Sequence, residues 1–95
     1  MPAYLIADIT VTDPTAYDEY RKLVPASIAK YGGEFVVRGG EHEVLEGDWR
    51  PNRLVVIRFP SLDQARAWHS SAEYAPALAI RQRSAATNSV IVEGA

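Results

Sequence analysis

The stretch Trp68-His69-Ser70-Ser71-Ala72-Glu73-Tyr74, followed by Arg81, gathers more chemistry than any other part of the chain. Tyr74, Leu78 and Arg81 fall at i, i+4 and i+7, so a helix there carries a phenol and a guanidinium on one face. Ser71 stands at the start of that helix, where unpaired N–H groups and the helix dipole favour an anion. A hydroxyl, a phenol and a guanidinium converging in this way suit a carboxylate or a phenolate. The plainer alternative gives Ser71 a capping role, Tyr74 a packing role and Arg81 an ion pair with Glu73 or Glu93. His69 adjoins the cluster, and an imidazole can serve as a general base near neutrality. The residues on its Ala65 side are not acidic and cannot orient it, so it reads as a surface histidine on a helix end.

Two further groups carry candidate ligand contacts. Arg38-Gly39-Gly40 offers a cation beside glycines that allow close backbone approach. It lacks the strand–GxGxxG–helix setting of a dinucleotide site, and a bulge or turn bending its strand is the stronger reading. Trp49 sits on a connecting loop, where an indole covers a pocket, docks on a partner or packs over its own hairpin. Arg53 follows closely, placed to meet a ligand or the Trp49 ring face. His42, between Glu41 and Glu43, reads as a solvated strand edge. No serine lies in a nucleophile-elbow context.

Composition narrows the chemistry. There are no cysteines, which removes disulfides, thiolate nucleophiles, iron–sulfur clusters and cysteine zinc sites. Two histidines are too few for most metal sites. No metal and no cofactor are expected. The formal net charge is −2 and no basic stripe is visible, which argues against nucleic acid as a partner. No apolar run approaches the roughly 20 residues of a membrane span, and no basic segment followed by an apolar one opens the chain. A cytoplasmic protein is the expectation. Ninety-five residues make one domain, 1–95, with no repeat or linker.

The elements that must position these residues follow from periodicity. Tyr4–Val11 alternates as a strand. Asp13 suits a helix N-cap and Pro14 the first helical position. Tyr17, Tyr20, Val24, Ile28 and Tyr31 then form an amphipathic stripe. Pro25 interrupts it, at a typical cost of about 3 kcal/mol, and predicts a kink or two short helices. Gly32-Gly33 stops the helix. Strand Glu34–Arg38 follows, then a short extension or hairpin arm over Glu41–Glu46, a loop over Gly47–Asn52, and strand Arg53–Phe59. Ser61 and Gln64 match a capping box for a helix over Leu62–His69. A further helix runs from about Glu73 to Arg83 with Pro76 in its first turn, and Thr87–Glu93 is the last strand. The order is that of a ferredoxin-like βαββαβ α+β domain, an antiparallel sheet with helices on one face.

One phase of the sheet, holding Leu5, Ala7, Ile9, Phe35, Val37, Val55, Ile57, Phe59, Val90 and Val92, is expected to face the helices. The other holds Tyr4, Ile6, Asp8, Val36, Arg38, Leu54, Val56, Arg58, Ile91 and Glu93. That second face is about half apolar, too apolar for a wet face. A second copy of the sheet is the expected cover, giving a homodimer with Asp8, Arg38, Arg58 and Glu93 between the subunits. Charges so placed either pair with each other or leave an arginine for an anion.

The opening Met1-Pro2-Ala3-Tyr4 strand leading into Thr12-Asp13-Pro14 and Tyr17, the run from Val37-Arg38-Gly39-Gly40 through Glu46-Gly47-Asp48-Trp49 to Arg53-Leu54-Val55-Val56, and the Ala65–Tyr74 segment with Arg81 resemble the domain-of-unknown-function 1330 family over essentially the whole chain. The resemblance implies the dimeric α+β barrel group, whose related families include cofactor-independent monooxygenases and isomerases with ligands between sheet and helices. It names no reaction, and fold does not fix function. The expectation is a small-molecule-binding dimer, with a cofactor-independent enzyme on a small anionic or aromatic metabolite as the activity the resemblance allows. Arg38, Arg53 and Arg81 would supply charge, Ser71 and Tyr74 hydrogen bonds, and Trp49 and Trp68 apolar walls. The rival is an assembly module whose sheet face serves dimerisation only.

Overall fold

The computed structural model describes residues 1–95. Alternating apolar residues produce four strands: β1 (Ala3–Val11), β2 (Glu34–Arg38), β3 (Arg53–Phe59) and β4 (Ala85–Glu93). Three helices accompany them: α1 (Pro14–Lys30), α2 (Leu62–His69) and α3 (Ala75–Ser84). The strands form one antiparallel sheet in the order β2-β3-β1-β4, the ferredoxin-like arrangement. The helices cover one face. Leu5, Ala7, Ile9, Val55, Ile57 and Phe59 on that face pack against Tyr17, Tyr20, Val24 and Ile28 of α1 and Trp68 of α2 to make the core.

Local chemistry explains where the helices begin. Asp13 Oδ1 accepts from the Ala16 N–H at 3.2 Å, and Pro14 fills the first helical position. Ser61 Oγ accepts from the Gln64 N–H at 3.1 Å. The reciprocal half of the expected capping box is absent, because the Gln64 side chain donates instead to the Tyr31 carbonyl at 3.0 Å. That bond ties the start of α2 to the end of α1.

Several expectations are corrected. α1 is one continuous helix through Pro25 and not two short ones. A proline there leaves the carbonyl four residues earlier, that of Arg21, without its helical donor. Arg38 Nη2 supplies one at 3.1 Å. No strand or hairpin arm forms over Glu41–Glu46; residues 39–52 run as an irregular connection. The last strand begins at Ala85 rather than Thr87.

Face assignments shift in two strands. Ile91 pairs with Leu5 and Val90 with Ile6, so Ile91 and Glu93 lie on the helix side, while Val90 and Val92 lie on the open side. In β2 the register breaks between Phe35 and Val37, which sets Val37 opposite Val56 and Arg38 opposite Val55. A bulge of this kind inserts one residue and reverses the alternation beyond it. Val37 therefore joins the open face and Arg38 the helix face. Of the four charged residues expected between subunits, only Asp8 and Arg58 remain on the open side. Arg58 meets Glu34 at 3.5 Å, and Asp8 is taken up by the 39–52 connection.

Candidate functional site

A cavity opens between the sheet and the helices, and the sheet's own side chains explain why. Residues paired directly across the strands share a face. Three adjacent rows of the helix-side face underlie it: Phe35–Ile57–Leu5–Ile91, then Arg38–Val55–Ala7–Ser89, then Arg53–Ile9–Thr87. The middle row ends in two small side chains, Ala7 and Ser89, between bulkier neighbours. Tyr17, Tyr20 and Val24 of α1 close the top, and Trp68 closes one side. The free space at its centre is about 30 Å³, room for about two waters.

Charge in this cavity is one-sided. Arg21, Arg38, Arg53 and Arg81 line it, and no aspartate or glutamate does. A chain of net charge −2 thus places four of its ten basic residues around one hollow. Clustered like charges in a low-dielectric recess favour an anion among them. Three of the four guanidiniums have other engagements. Arg38 donates to the Arg21 carbonyl, Arg81 Nε donates to Tyr74 Oη at 3.2 Å, and Arg21 lies 3.9 Å from Asp18 on the surface. Arg53 makes no hydrogen bond or ion pair, and its Nε is buried without a partner.

Opposite the mouth arginines lies a stack of aromatic rings. Tyr74 stacks on Trp68 with centroids 3.9 Å apart, and the indole N–H donates to Ser27 Oγ at 3.0 Å. Tyr20 Oη and Tyr74 Oη are 3.1 Å apart. Since Arg81 can only donate, Tyr74 Oη accepts from it, and one proton is shared along the Tyr20–Tyr74 contact. Burial, and then the neighbouring Tyr74, push the Tyr20 phenol far above its ordinary range, so it stays neutral. Two phenols and a guanidinium form a hydrogen-bonding wall suited to an oxygen that gains negative charge.

The structure therefore brings Arg38, Arg53, Trp68, Tyr74 and Arg81 around one cavity. Two expected members are not there. Trp49 lies on the open side of the sheet, where its Nε1 donates to Asp8 Oδ2 at 2.9 Å while the Asn52 N–H donates to Asp8 Oδ1 at 3.0 Å. The carboxylate of Asp8 pins the connection to β1 and carries the indole away from the helices. Ser71 is buried and spends its hydroxyl locally, donating to the Trp68 carbonyl at 2.7 Å and accepting from the Tyr74 N–H at 3.1 Å. It caps the turn and offers nothing to a ligand. Its neighbour Glu73 pairs with Lys30 and Tyr31 instead of Arg81.

Other lining residues escaped the sequence reading. Tyr17 and Tyr20 look like core positions because their helical spacing is that of a packed face. His69 looks like a surface residue and is exposed, yet its ring borders the cavity 6.0 Å from that of Tyr74. Thr87 and Ser89 carry no signal until β4 is registered against β1.

The sequence pattern of the family described as "Domain of unknown function (DUF1330)" matches residues 2–95, and the chain belongs to that family. No curated protein matches it. Among solved structures it is similar to a protein of unknown function from Rhodopseudomonas palustris, at 17% identity and TM-score 0.79, with 99% of this chain and 82% of that one covered. It is also similar to SnoaB, a cofactor-independent oxygenase from Streptomyces nogalater, at 16% identity and TM-score 0.68 over 99% and 93% of the chains. A Mycobacterium tuberculosis protein matches at 18% identity and TM-score 0.59 over 100% and 96%. At these identities the likeness is one of fold.

Proposed function

We propose, taking family membership and the cavity together, that two copies of this chain meet through their open sheet faces and that each binds a small organic anion among Arg38, Arg53 and Arg81. The observation that carries the ligand is the charge of the lining: four guanidiniums and no carboxylate around an apolar floor. Ligand sites are mostly apolar recesses with a few convergent polar groups. The rings of Trp68 and Tyr74 favour an unsaturated or aromatic body on the anion. The mouth residues Arg21 and Arg38 are long, exposed side chains, so the narrow hollow widens by their swinging outward, without backbone movement.

The homodimer rests on the open face. Val36, Val37, Val90 and Val92 are exposed there beside Ile6, Leu54 and Val56. A contiguous apolar sheet surface is covered in a stable protein, and an identical sheet packs on it face to face. SnoaB performs its oxygenation without a cofactor on this same fold. In the present chain the chemistry available to a bound ligand is hydrogen bonding from Tyr74 to an oxyanion, with His69 at the rim as the nearest base.

The small free volume favours a second reading, an assembly module whose cavity holds only water. Thermal unfolding with benzoate, 4-hydroxybenzoate and phenylacetate at millimolar concentration, against benzamide, separates the two. A rise in Tm with the carboxylates and none with benzamide supports the anion site. No rise with any carboxylate overturns it and leaves the assembly module.

A further inference from the structure

Within the anion site just proposed, on which this inference rests, we infer that the carboxylate of an aromatic monocarboxylic acid displaces the Arg21 carbonyl from Arg38, leaving its charge at the mouth and its ring inside. Arg38 Nη2 donates to that carbonyl at 3.1 Å, and both residues line the cavity. The bond ties β2 to α1 at the cavity's edge. Its acceptor is vacant because residue 25 is a proline. Any other residue there would donate its own N–H to the Arg21 carbonyl and complete the helix.

The tie joins a strong donor to a weak acceptor. A guanidinium has five N–H donors, and Arg38 spends one of them on a neutral carbonyl and has no acidic partner. The Phe35 ring backs the group, its centroid 4.3 Å from Arg38 Cζ. Ring contact occupies a face of the guanidinium and leaves its edges for an acceptor. A carboxylate takes two of those donors at once, in bonds roughly twice as strong as one to a neutral carbonyl. An anion that reaches the mouth therefore wins the exchange.

Uptake of a ring requires it. The free space at the cavity centre is about 30 Å³, whereas an apolar cavity that takes up benzene measures about 150 Å³. Rotation of Arg38 off the Arg21 carbonyl opens the hollow in the same step that engages the anion. Arg53 reinforces this end. Gly39, at φ +71°, leaves room for it, since a Cβ there would collide with Arg53 Nη1 and Cζ. The Arg53 guanidinium thus rests against the residue that follows Arg38. From Arg38 a single row runs across the sheet through Val55 and Ala7 to Ser89. Strand spacing puts Ala7 about 10 Å from Arg38, a span within which a carboxylate and one ring fit. The ring then lies over Ala7, where the floor is low.

Calorimetric titration of the full chain with benzoate, against benzamide, tests the exchange in the wild type, Arg38→Gln, Pro25→Ala, the double variant and Arg81→Gln. Loss of the charged donor in Arg38→Gln predicts benzoate binding about tenfold weaker or more. Pro25→Ala gives the Arg21 carbonyl a helical donor and frees Arg38, so benzoate binds about twofold to tenfold tighter. In the double variant that gain disappears. Melting without ligand gives a second reading: Arg38→Gln lowers Tm more in the chain with Pro25 than in Pro25→Ala, where the carbonyl keeps a donor. If the wild type binds benzoate and Pro25→Ala binds it no tighter, or the gain survives Arg38→Gln, the exchange is overturned and the anion site stands. Benzoate weakened by Arg81→Gln and not by Arg38→Gln puts the carboxylate at the deep end and overturns this inference alone. If the wild type binds no carboxylate, the anion site and the exchange fall together.

Discussion

Replacing Gly39 with alanine tests the seat of Arg53 without touching either the arginine or the sheet. Gly39 and Gly47 both have positive φ, +71° and +84°. An alanine at either position carries the same backbone penalty, about 1–2 kcal/mol for a left-handed residue. They differ in what the new methyl group meets. At Gly47 nothing lies within 4 Å, whereas at Gly39 the methyl falls 2.1 Å from Arg53 Nη1 and 2.5 Å from Cζ. Ordinary contact begins at 3.4 Å, so the guanidinium must retreat by about 1.3 Å. Nη1 and Cζ are the far end of a flexible side chain, which gives way cheaply, so the cost falls at the low end of overpacking, about 1 kcal/mol. Gly39→Ala is therefore expected to destabilise by that much more than Gly47→Ala. Chemical denaturation at one fixed protein concentration measures both. For a domain of this size each 1 kcal/mol also appears as about 4–8 °C in Tm. The decisive variant adds Arg53→Ala to each glycine substitution. With the guanidinium gone, the excess cost at position 39 should disappear and the two glycines should behave alike. An excess that survives Arg53→Ala, or no excess at all, refutes the claim that Gly39 exists to seat the arginine.

Further outcomes follow from the clamp and from the open face. Glu73 accepts from Lys30 Nζ at 2.8 Å and from Tyr31 Oη at 2.7 Å, which holds its carboxyl at about 2 and raises both partners. A carboxyl depressed in the folded state stabilises fully above its unfolded value near 4.5 and loses that contribution as pH falls towards 2. Unfolding of the wild type should thus weaken through this window, and Glu73→Gln should flatten that part of the profile; a parallel profile in Glu73→Gln counts against the clamp. On the open face, Val90→Glu and Val56→Glu should convert the sedimenting species from dimer to monomer, with the far-ultraviolet circular dichroism retained. A wild type that sediments as a monomer at micromolar concentration contradicts the homodimer.

Strand alternation made the fold readable from the sequence. Asp8 and Thr10 in β1 and Arg58 in β3 mark the open phase of those strands, and the Asp13-Pro14 and Ser61 caps mark their helices within a residue or two. β4 resists such reading because Val90, Ile91 and Val92 are apolar in both phases, and only pairing with β1 chooses between them. β2 resists for a different reason. Arg38-Gly39-Gly40 suggests a bulge or turn in this strand, but nothing in the sequence places it between Phe35 and Val37, and an unbroken alternation puts Arg38 on the wrong face. The cavity itself depends on relations between distant residues. Ala7 and Ser89 create it by being small side by side, and Arg53 and Thr87 line it from either side of Ile9. Trp49 misled because its destination is set by Asp8, 41 positions away. Pro25 does not split α1 in two, and the carbonyl it orphans is met by Arg38.

The break in β2 between Phe35 and Val37 also decides how the two sides of the sheet can diverge from one another over descent. Beyond that point a single inserted or deleted residue exchanges the outward and inward sets of the strand, so Arg38 and Val37 trade compartments while the hydrogen-bonded ladder survives. A lineage that lost the extra residue would move a cation from the helix-side cavity to the open face of the sheet in one genetic event, and would strip the Arg21 carbonyl of its donor at the same time. Pro25 and the bulge are consequently tied: a chain with the proline has reason to keep the inserted residue, and a chain that has lost it is expected to carry something other than proline at 25. The pairing offers a way to sort members of the family into those that keep a cation beside the cavity and those that carry it on the open face.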